Sequence, residues 1–138
     1  MTDTLVDANV FIDVFSDDPV WRAWSKDHLV SARREGELII NPIVYAEVGA
    51  AFPTQRKLDE ALGADRFRRE ALPWDAAFNA GRAFLMYRRS GGAKRSPLPD
   101  FYIGAHAEVR EYRLLTRDIS RYRQYFPTLT IISPETHP

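Results

Sequence analysis

The sequence predicts an α/β fold, a single-domain α/β/α sandwich built on a central parallel sheet of about five strands. Short β-prone apolar runs alternate with longer segments of helical periodicity. Acidic residues follow directly on two of those runs, Asp7 after Thr4-Leu5-Val6 and Asp118 close behind Leu114-Leu115-Thr116. In open parallel sheets ligands bind beyond the carboxyl ends of the strands, so both carboxylates are expected at a functional edge.

The strands are expected at Thr4 to Val6, Leu38 to Ile40, Glu70 to Leu72, Leu114 to Thr116 and Thr130 to Ile132. After the first strand, either Asp7 or Asn9 suits a helix N-cap. Val20 to Arg34 reads as an amphipathic helix with Trp21, Trp24, His28 and Leu29 on one stripe. Pro42 takes the favoured first-turn position of the next helix, and Phe52-Pro53 closes it. Gln55 to Leu62 is a short helix. Trp74 to Arg88 is a longer one, with Trp74, Phe78, Gly81, Phe84 and Leu85 expected to face inward as core. Ser90 to Pro97 has the composition of a flexible loop and leads into the helix that carries Asp100. Residues 1–138 then form one domain, and residues 134–138 are expected to be a loose tail.

Composition narrows the chemistry. No run approaches the length that spans a bilayer, and Asp3 and Asp7 stand where a secretory signal needs positive charge, so no membrane association and a cytoplasmic location are expected. With no cysteine, thiolate catalysis and cysteine-held zinc or iron–sulfur clusters drop out. A zero net charge conceals an asymmetry: residues 1–65 carry twelve acids against six bases, and residues 82–123 carry ten bases against four acids. Such a division suits a chain that holds metal with one part and a polyanion, or an acidic region of a partner, with the other. Two ordinary solvated faces would look the same.

Four carboxylates, Asp7, Glu47, Asp100 and Asp118, are the candidate catalytic and metal-binding residues. Glu47 has Ile43, Val44, Ala50 and Ala51 at its helical neighbour positions, so an ionised carboxylate there needs a partner or a cation. A buried ion pair is the alternative. Asp100 follows Pro97-Leu98-Pro99 at a helix start, favourable for any carboxylate beside the helix dipole. Asp118 suits the cap of a short helix, and Thr116, two residues earlier, can orient a carboxylate from the same side. Oxygen-only ligands select magnesium, or manganese, over zinc. Such an ion acidifies water and neutralises charge building on a phosphate, which points to phosphodiester chemistry. Neither a nucleophilic-serine elbow nor a phosphate-cradling glycine loop is present. Arg88, Arg89, Lys94 and Arg95 flank Gly91-Gly92 ahead of Asp100 and are candidate contacts to the phosphates of a polyanion, RNA if the resemblance given below holds; a merely solvated loop, or a site for acidic residues of a partner, fits the same charges.

The runs Leu5-Val6-Asp7-Ala8-Asn9, Asn41-Pro42-Ile43-Val44-Tyr45-Ala46-Glu47-Val48, Pro99-Asp100-Phe101-Tyr102-Ile103-Gly104-Ala105-His106-Ala107 and Leu114-Leu115-Thr116-Arg117-Asp118 occur in that order. In these runs, and in Tyr125 to Leu129 with Ile131 to Pro134, the chain resembles the PIN-domain ribonucleases, and within them the VapC-type toxins of toxin–antitoxin pairs. That resemblance implies an acidic quartet of Asp7, Glu47, Asp100 and Asp118, with Asp7 and Asp100 nearest the metal and Asn9 and Thr116 supporting them. It also implies a magnesium-dependent endoribonuclease leaving a 5′-phosphate and a 3′-hydroxyl, a homodimer, and a cognate antitoxin in a hetero-oligomer. Asn41-Pro42 departs from the serine or threonine common at that point in relatives, which puts one small polar contact near the site in question. Asp13 receives no role. The rival readings are a housekeeping PIN nuclease without an antitoxin, a receiver-like phosphoacceptor and a non-catalytic interaction domain. A receiver would need a lysine after a late strand, and Lys26, Lys57 and Lys94 are not so placed.

Overall fold

The computed structural model of the chain describes residues 1–91 and 98–138. Its elements run β1 (Thr4–Val6), α1 (Ala8–Phe15), α2 (Arg22–Glu35), β2 (Leu38–Ile40), α3 (Pro42–Gly49), α4 (Gln55–Ala61), β3 (Arg68–Arg69), α5 (Trp74–Arg89), α6 (Leu98–Val109), β4 (Arg113–Leu115), α7 (Ser120–Tyr125) and β5 (Ile131–Ile132). One five-stranded sheet in the order β3-β2-β1-β4-β5 results, and every neighbouring pair is parallel. The strands are short and, apart from β3, largely buried, which is why they read as plain apolar runs rather than as alternations. Leu5, Val6, Ile39, Ile40, Leu114 and Leu115 form the centre of the core, together with Val10, Phe11, Val44 and Phe101 from the covering helices.

The chain proceeds from β1 through β2 to β3 on one side, then returns to lay β4 and β5 on the other side of β1. The point of reversal, between β1 and β4, leaves a crevice at the carboxyl ends of those two strands. Asp7 and Thr116 are the residues immediately beyond them.

Several expectations are corrected. The third strand is not Glu70 to Leu72 but Arg68–Arg69, two residues earlier. It is an edge strand with both side chains exposed, so charge replaces the apolar pattern that would announce it. Glu70 instead turns back to accept from Tyr112 Oη at 2.8 Å and to face His106 Nε2 at 2.8 Å. The apolar stripe of α5 exists but does not form the core: Trp74 is 90% and Phe78 66% exposed, Gly81 and Leu85 are also exposed, and only Phe84 is half-buried. The buried face is Ala76, Ala80 and Ala83, small residues that let α5 lie closely along α6. Helical periodicity reveals that an apolar face exists, not which of two faces meets the core.

Asn9 is not a cap. It lies inside α1, whose N-cap position is Asp7 with no side-chain capping bond. At the C-terminal end, Thr136 Oγ1 accepts from Ser133 N–H at 2.9 Å and Trp24 Nε1 donates to the His137 carbonyl at 2.8 Å. Asp13 acquires a role in the frame: 1% exposed, it accepts from Arg117 Nε at 2.7 Å and Ser25 Oγ at 2.9 Å. Arg117 in turn lies over the Trp21 ring. This ion pair ties α1 and α2 to the turn that carries Asp118.

Candidate active site

Asp7, Asn9, Glu47, Asp100, Asp118 and Tyr122 line one cleft of about 150 Å³, with Ala8 and Ile12 completing its wall. The cleft has room for a small hydrated ion. Each side chain arrives on a different element. Asp7 ends β1, Glu47 sits on α3, Asp100 occupies the first turn of α6, and Asp118 follows β4.

Asp7 is the buried anchor, 5% exposed. Its Oδ2 accepts from Tyr122 Oη at 2.8 Å, from Thr116 Oγ1 at 2.9 Å and from Asn9 Nδ2 at 3.4 Å. Thr116 also accepts from the Asp118 N–H at 3.1 Å, so a single hydroxyl links the first and last carboxylates of the set. Asn9 completes the frame, donating to Thr116 Oγ1 at 3.2 Å and accepting from the Arg117 N–H at 3.1 Å. Asp118 is exposed, and its Oδ1 accepts from Ser120 N–H at 3.1 Å and Ser120 Oγ at 2.8 Å, an Asx-type turn that opens α7.

Glu47 is the opposite case. It forms no ion pair among the described residues, and its Oε1 is buried without any hydrogen-bond partner. Burial pushes Glu47 up to about 7, and the charges of Asp7 and Asp100 add to the shift. Burial likewise raises Asp7 to about 6; Asp100 pushes the same way, while the hydrogen bonds from Tyr122 and Thr116 partly offset it. The charge of Asp100 therefore bears on both Asp7 and Glu47 and disfavours their ionised forms.

That combination fits a hard divalent cation. The donors are oxygen only, one buried carboxylate oxygen lacks any donor, and the mutual repulsion is what a bound dication would reverse. Among the described residues no three ligand-type side chains converge closely enough to enclose an ion unaided. A cation in this cleft would complete its shell with water, as magnesium commonly does.

Beyond the cleft, Asn41 occupies the departure from the common pattern. Its Oδ1 accepts from the Val44 N–H at 2.9 Å and so caps α3, and its amide group meets His106 Nδ1 at 3.0 Å. With Oδ1 engaged at the cap, Nδ2 faces the imidazole and donates to Nδ1; His106 is then a neutral Nε2–H tautomer donating to Glu70. A buried polar chain thus joins α3, which carries Glu47, to α6, which carries Asp100. Lys94 and Arg95 lie outside the described residues. Arg88 and Arg89 are exposed at the end of α5, with the Arg88 guanidinium over the Phe84 ring.

Sequence reasoning missed Tyr122 and the Asp13–Arg117 pair. For Tyr122 the available signal was its spacing of four from Asp118 across a short helix, which turns both toward one side.

The model of the PIN domain family matches residues 4–126 of the sequence. The chain belongs to the PIN-domain family. Among curated relatives, it is 30% identical over 110 residues to Ribonuclease VapC10 of Mycobacterium tuberculosis, covering 80% of this chain and 78% of that one. Solved structures share the fold at lower identity. One, from Rickettsia felis, is described as VapBC2 bound to a DNA fragment from their promoter; it aligns with a TM-score of 0.73 at 16% identity over 96% of this chain and 98% of its own. Another, a toxin–antitoxin complex from Klebsiella pneumoniae, aligns with a TM-score of 0.69 at 24% identity over 95% and 97%. Membership of the PIN family sets aside the receiver-like reading. No helix among the described residues is long and apolar enough to cross a membrane.

Proposed function

We propose that this PIN-domain chain is a divalent-cation-dependent endoribonuclease acting as the toxin of a toxin–antitoxin pair in the cytoplasm. The observation that carries the catalytic part is the shared cleft of Asp7, Glu47, Asp100 and Asp118, with Glu47 Oε1 buried and undonated. Asp7 and Asp100 would hold magnesium or manganese, with Glu47 and Asp118 completing the acidic set. Bound there, the cation would acidify water and offset the charge that builds on the scissile phosphate. Glu47 Oε1, buried and without a hydrogen-bond donor, is placed to accept a proton released inside the cleft. Asp118, at the exposed mouth, orients the incoming water. Asn9, Thr116 and Tyr122 keep Asp7 in place throughout.

The toxin part rests on similarity to Ribonuclease VapC10 and on surfaces that fit partners. Ile12, Phe15, Val48, Ala51 and Phe52 line an apolar groove of about 170 Å³ that shares Ile12 with the carboxylate cleft. An antitoxin segment seated in that groove would place its own side chains over the active site. The exposed face of α5, Trp74, Phe78, Leu85 and Met86, suits burial against a second copy. Gly81 lies at its centre, and no atom stands within 4 Å of where a Cβ would project from it, so two such helices can approach closely.

The direct test is cleavage of RNA by the purified chain in magnesium, with analysis of the product ends. The expected result is 5′-phosphate and 3′-hydroxyl ends, with complete loss of cleavage in EDTA. Cleavage that survives EDTA would overturn the assignment. A small partner encoded in the adjacent reading frame separates a toxin from a housekeeping nuclease.

RNA is expected to be gripped by the basic segment before α6, through Arg88, Arg89, Lys94 and Arg95. Replacing Lys94 and Arg95 with alanine in a cleavage-dead background should flatten the log–log salt slope of RNA binding by roughly 1.4, if each neutralises one phosphate. Affinity should fall alike across RNA sequences, because phosphate contacts carry no base information. An unchanged slope would remove the segment from the RNA path.

A further inference from the structure

We propose that Tyr122 is a positioning residue for the cleft: its phenol hydroxyl fixes Asp7 so that Oδ1, rather than Oδ2, is the oxygen presented to a divalent cation. The inference rests on the reading of the cleft as a cation site and adds a residue that the acidic quartet does not contain.

Asp7 Oδ2 is already saturated. It accepts from Tyr122, Thr116 and Asn9, three donors on an oxygen with two lone pairs in its carboxylate plane, and the Tyr122 contact at 2.8 Å is the shortest. Thr116 and Asn9 are not free to replace it. The Thr116 hydroxyl also serves the Asp118 turn, and the Asn9 amide lies 3.4 Å from Asp7 while it donates at 3.2 Å to Thr116. Among the described residues Tyr122 Oη has no other hydrogen-bond partner, so its single proton is committed to Asp7.

The phenol is held where it is by packing. Tyr122 is 2% exposed and comes from α7, 115 residues away in sequence from Asp7. Opposite it on α6 stands Gly104, where a Cβ would lie 2.6 Å from Phe126 Cε2 and 3.1 Å from Tyr122 Cδ1. The absent side chain lets both rings settle directly against the α6 backbone. Because α6 also carries Asp100, one close contact sets Tyr122 and Asp100 together relative to Asp7.

Tyr122→Phe keeps the ring and removes only the donor. Cation binding is read without RNA, by electron paramagnetic resonance of free Mn²⁺ titrated against wild type, Tyr122→Phe and Asp7→Asn. Loss of a hydrogen bond to a ligand residue typically weakens metal affinity about 10- to 100-fold, and Tyr122→Phe should fall in that range. In cleavage assays, kcat at limiting Mn²⁺ should drop by a similar factor, KM for RNA should stay near wild type, and excess Mn²⁺ should restore the rate. A merely structural tyrosine would lower thermal stability and leave Mn²⁺ affinity unmoved, and that result overturns the inference. Asp7→Asn should abolish Mn²⁺ uptake. If Asp7→Asn retains wild-type uptake, or wild type takes up none, the reading of the cleft fails and this inference fails with it; if only Tyr122→Phe behaves as wild type, the cleft stands and Tyr122 is excluded.

Discussion

Asp7→Asn and Asp100→Asn are each expected to reduce RNA cleavage about a thousandfold or more, since a cation at a phosphoryl centre supplies several kcal/mol of stabilisation and each 1.36 kcal/mol is about tenfold in rate. The fold should survive both changes. An asparagine at position 7 keeps an oxygen to accept from Tyr122 and Thr116, and it removes a buried charge that burial and Asp100 both oppose. In the cation-free protein, Asp7→Asn should therefore melt at the wild-type temperature or higher. The shift of Asp7 from 3.8 to about 6 corresponds to a penalty on the order of 3 kcal/mol above neutrality, which bounds the gain. Cleavage assays in magnesium beside thermal melts in EDTA check both halves. Retained cleavage in both variants would remove the carboxylates from the chemistry.

Glu47 separates function from stability more sharply. Glu47→Gln should lower cleavage about a hundredfold, the usual scale for losing a positioned proton acceptor. Glu47→Leu should cost the fold nothing, because among the described residues the glutamate has no ion pair to strand and one of its oxygens has no donor to lose. The pH dependence has a defined sign. Asp7 and Glu47 are raised from 3.8 and 4.5 to about 6 and about 7, so between those limits the folded chain holds more protons than the unfolded one, and cation-free stability falls as pH rises. The penalty is absent below both ordinary values and complete above about pH 7. Glu47→Leu should consequently show its advantage over wild type at pH 8 and lose it by pH 5. Urea titrations at the two pH values in EDTA measure this. A leucine variant weaker by about 3 to 5 kcal/mol would instead indicate a stranded buried cation.

How far these features were legible in the sequence follows from the range of the contacts involved. β1, β2 and β4 announce themselves because buried parallel strands are simple apolar runs, and Asp7 and Asp118 are marked by standing just past such runs. Glu47 was legible from the apolar identities around it on α3. β3 was not, since Arg68 and Arg69 pair only at an exposed edge and carry no hydrophobic signal. The orientation of α5 failed for a different reason. Its large apolar residues outweigh Ala76, Ala80 and Ala83 in any periodicity, yet it is the alanines that fit against α6. Tyr122 and the Asp13–Arg117 pair are long-range contacts, joining residues 115 and 104 apart, and no local pattern encodes which distant carboxylate a phenol or guanidinium will meet.

The proposed chemistry requires the four carboxylates to surround a divalent cation. Anomalous diffraction from crystals soaked in Mn²⁺ tests it most directly. The expected result is a manganese peak in the cleft, with carboxylate oxygens of Asp7 and Asp100 at about 2.1 Å, the scale of hard octahedral cations, and Asp7 contributing Oδ1. A fully soaked crystal with no peak between these side chains, or with manganese bound only elsewhere, would contradict it.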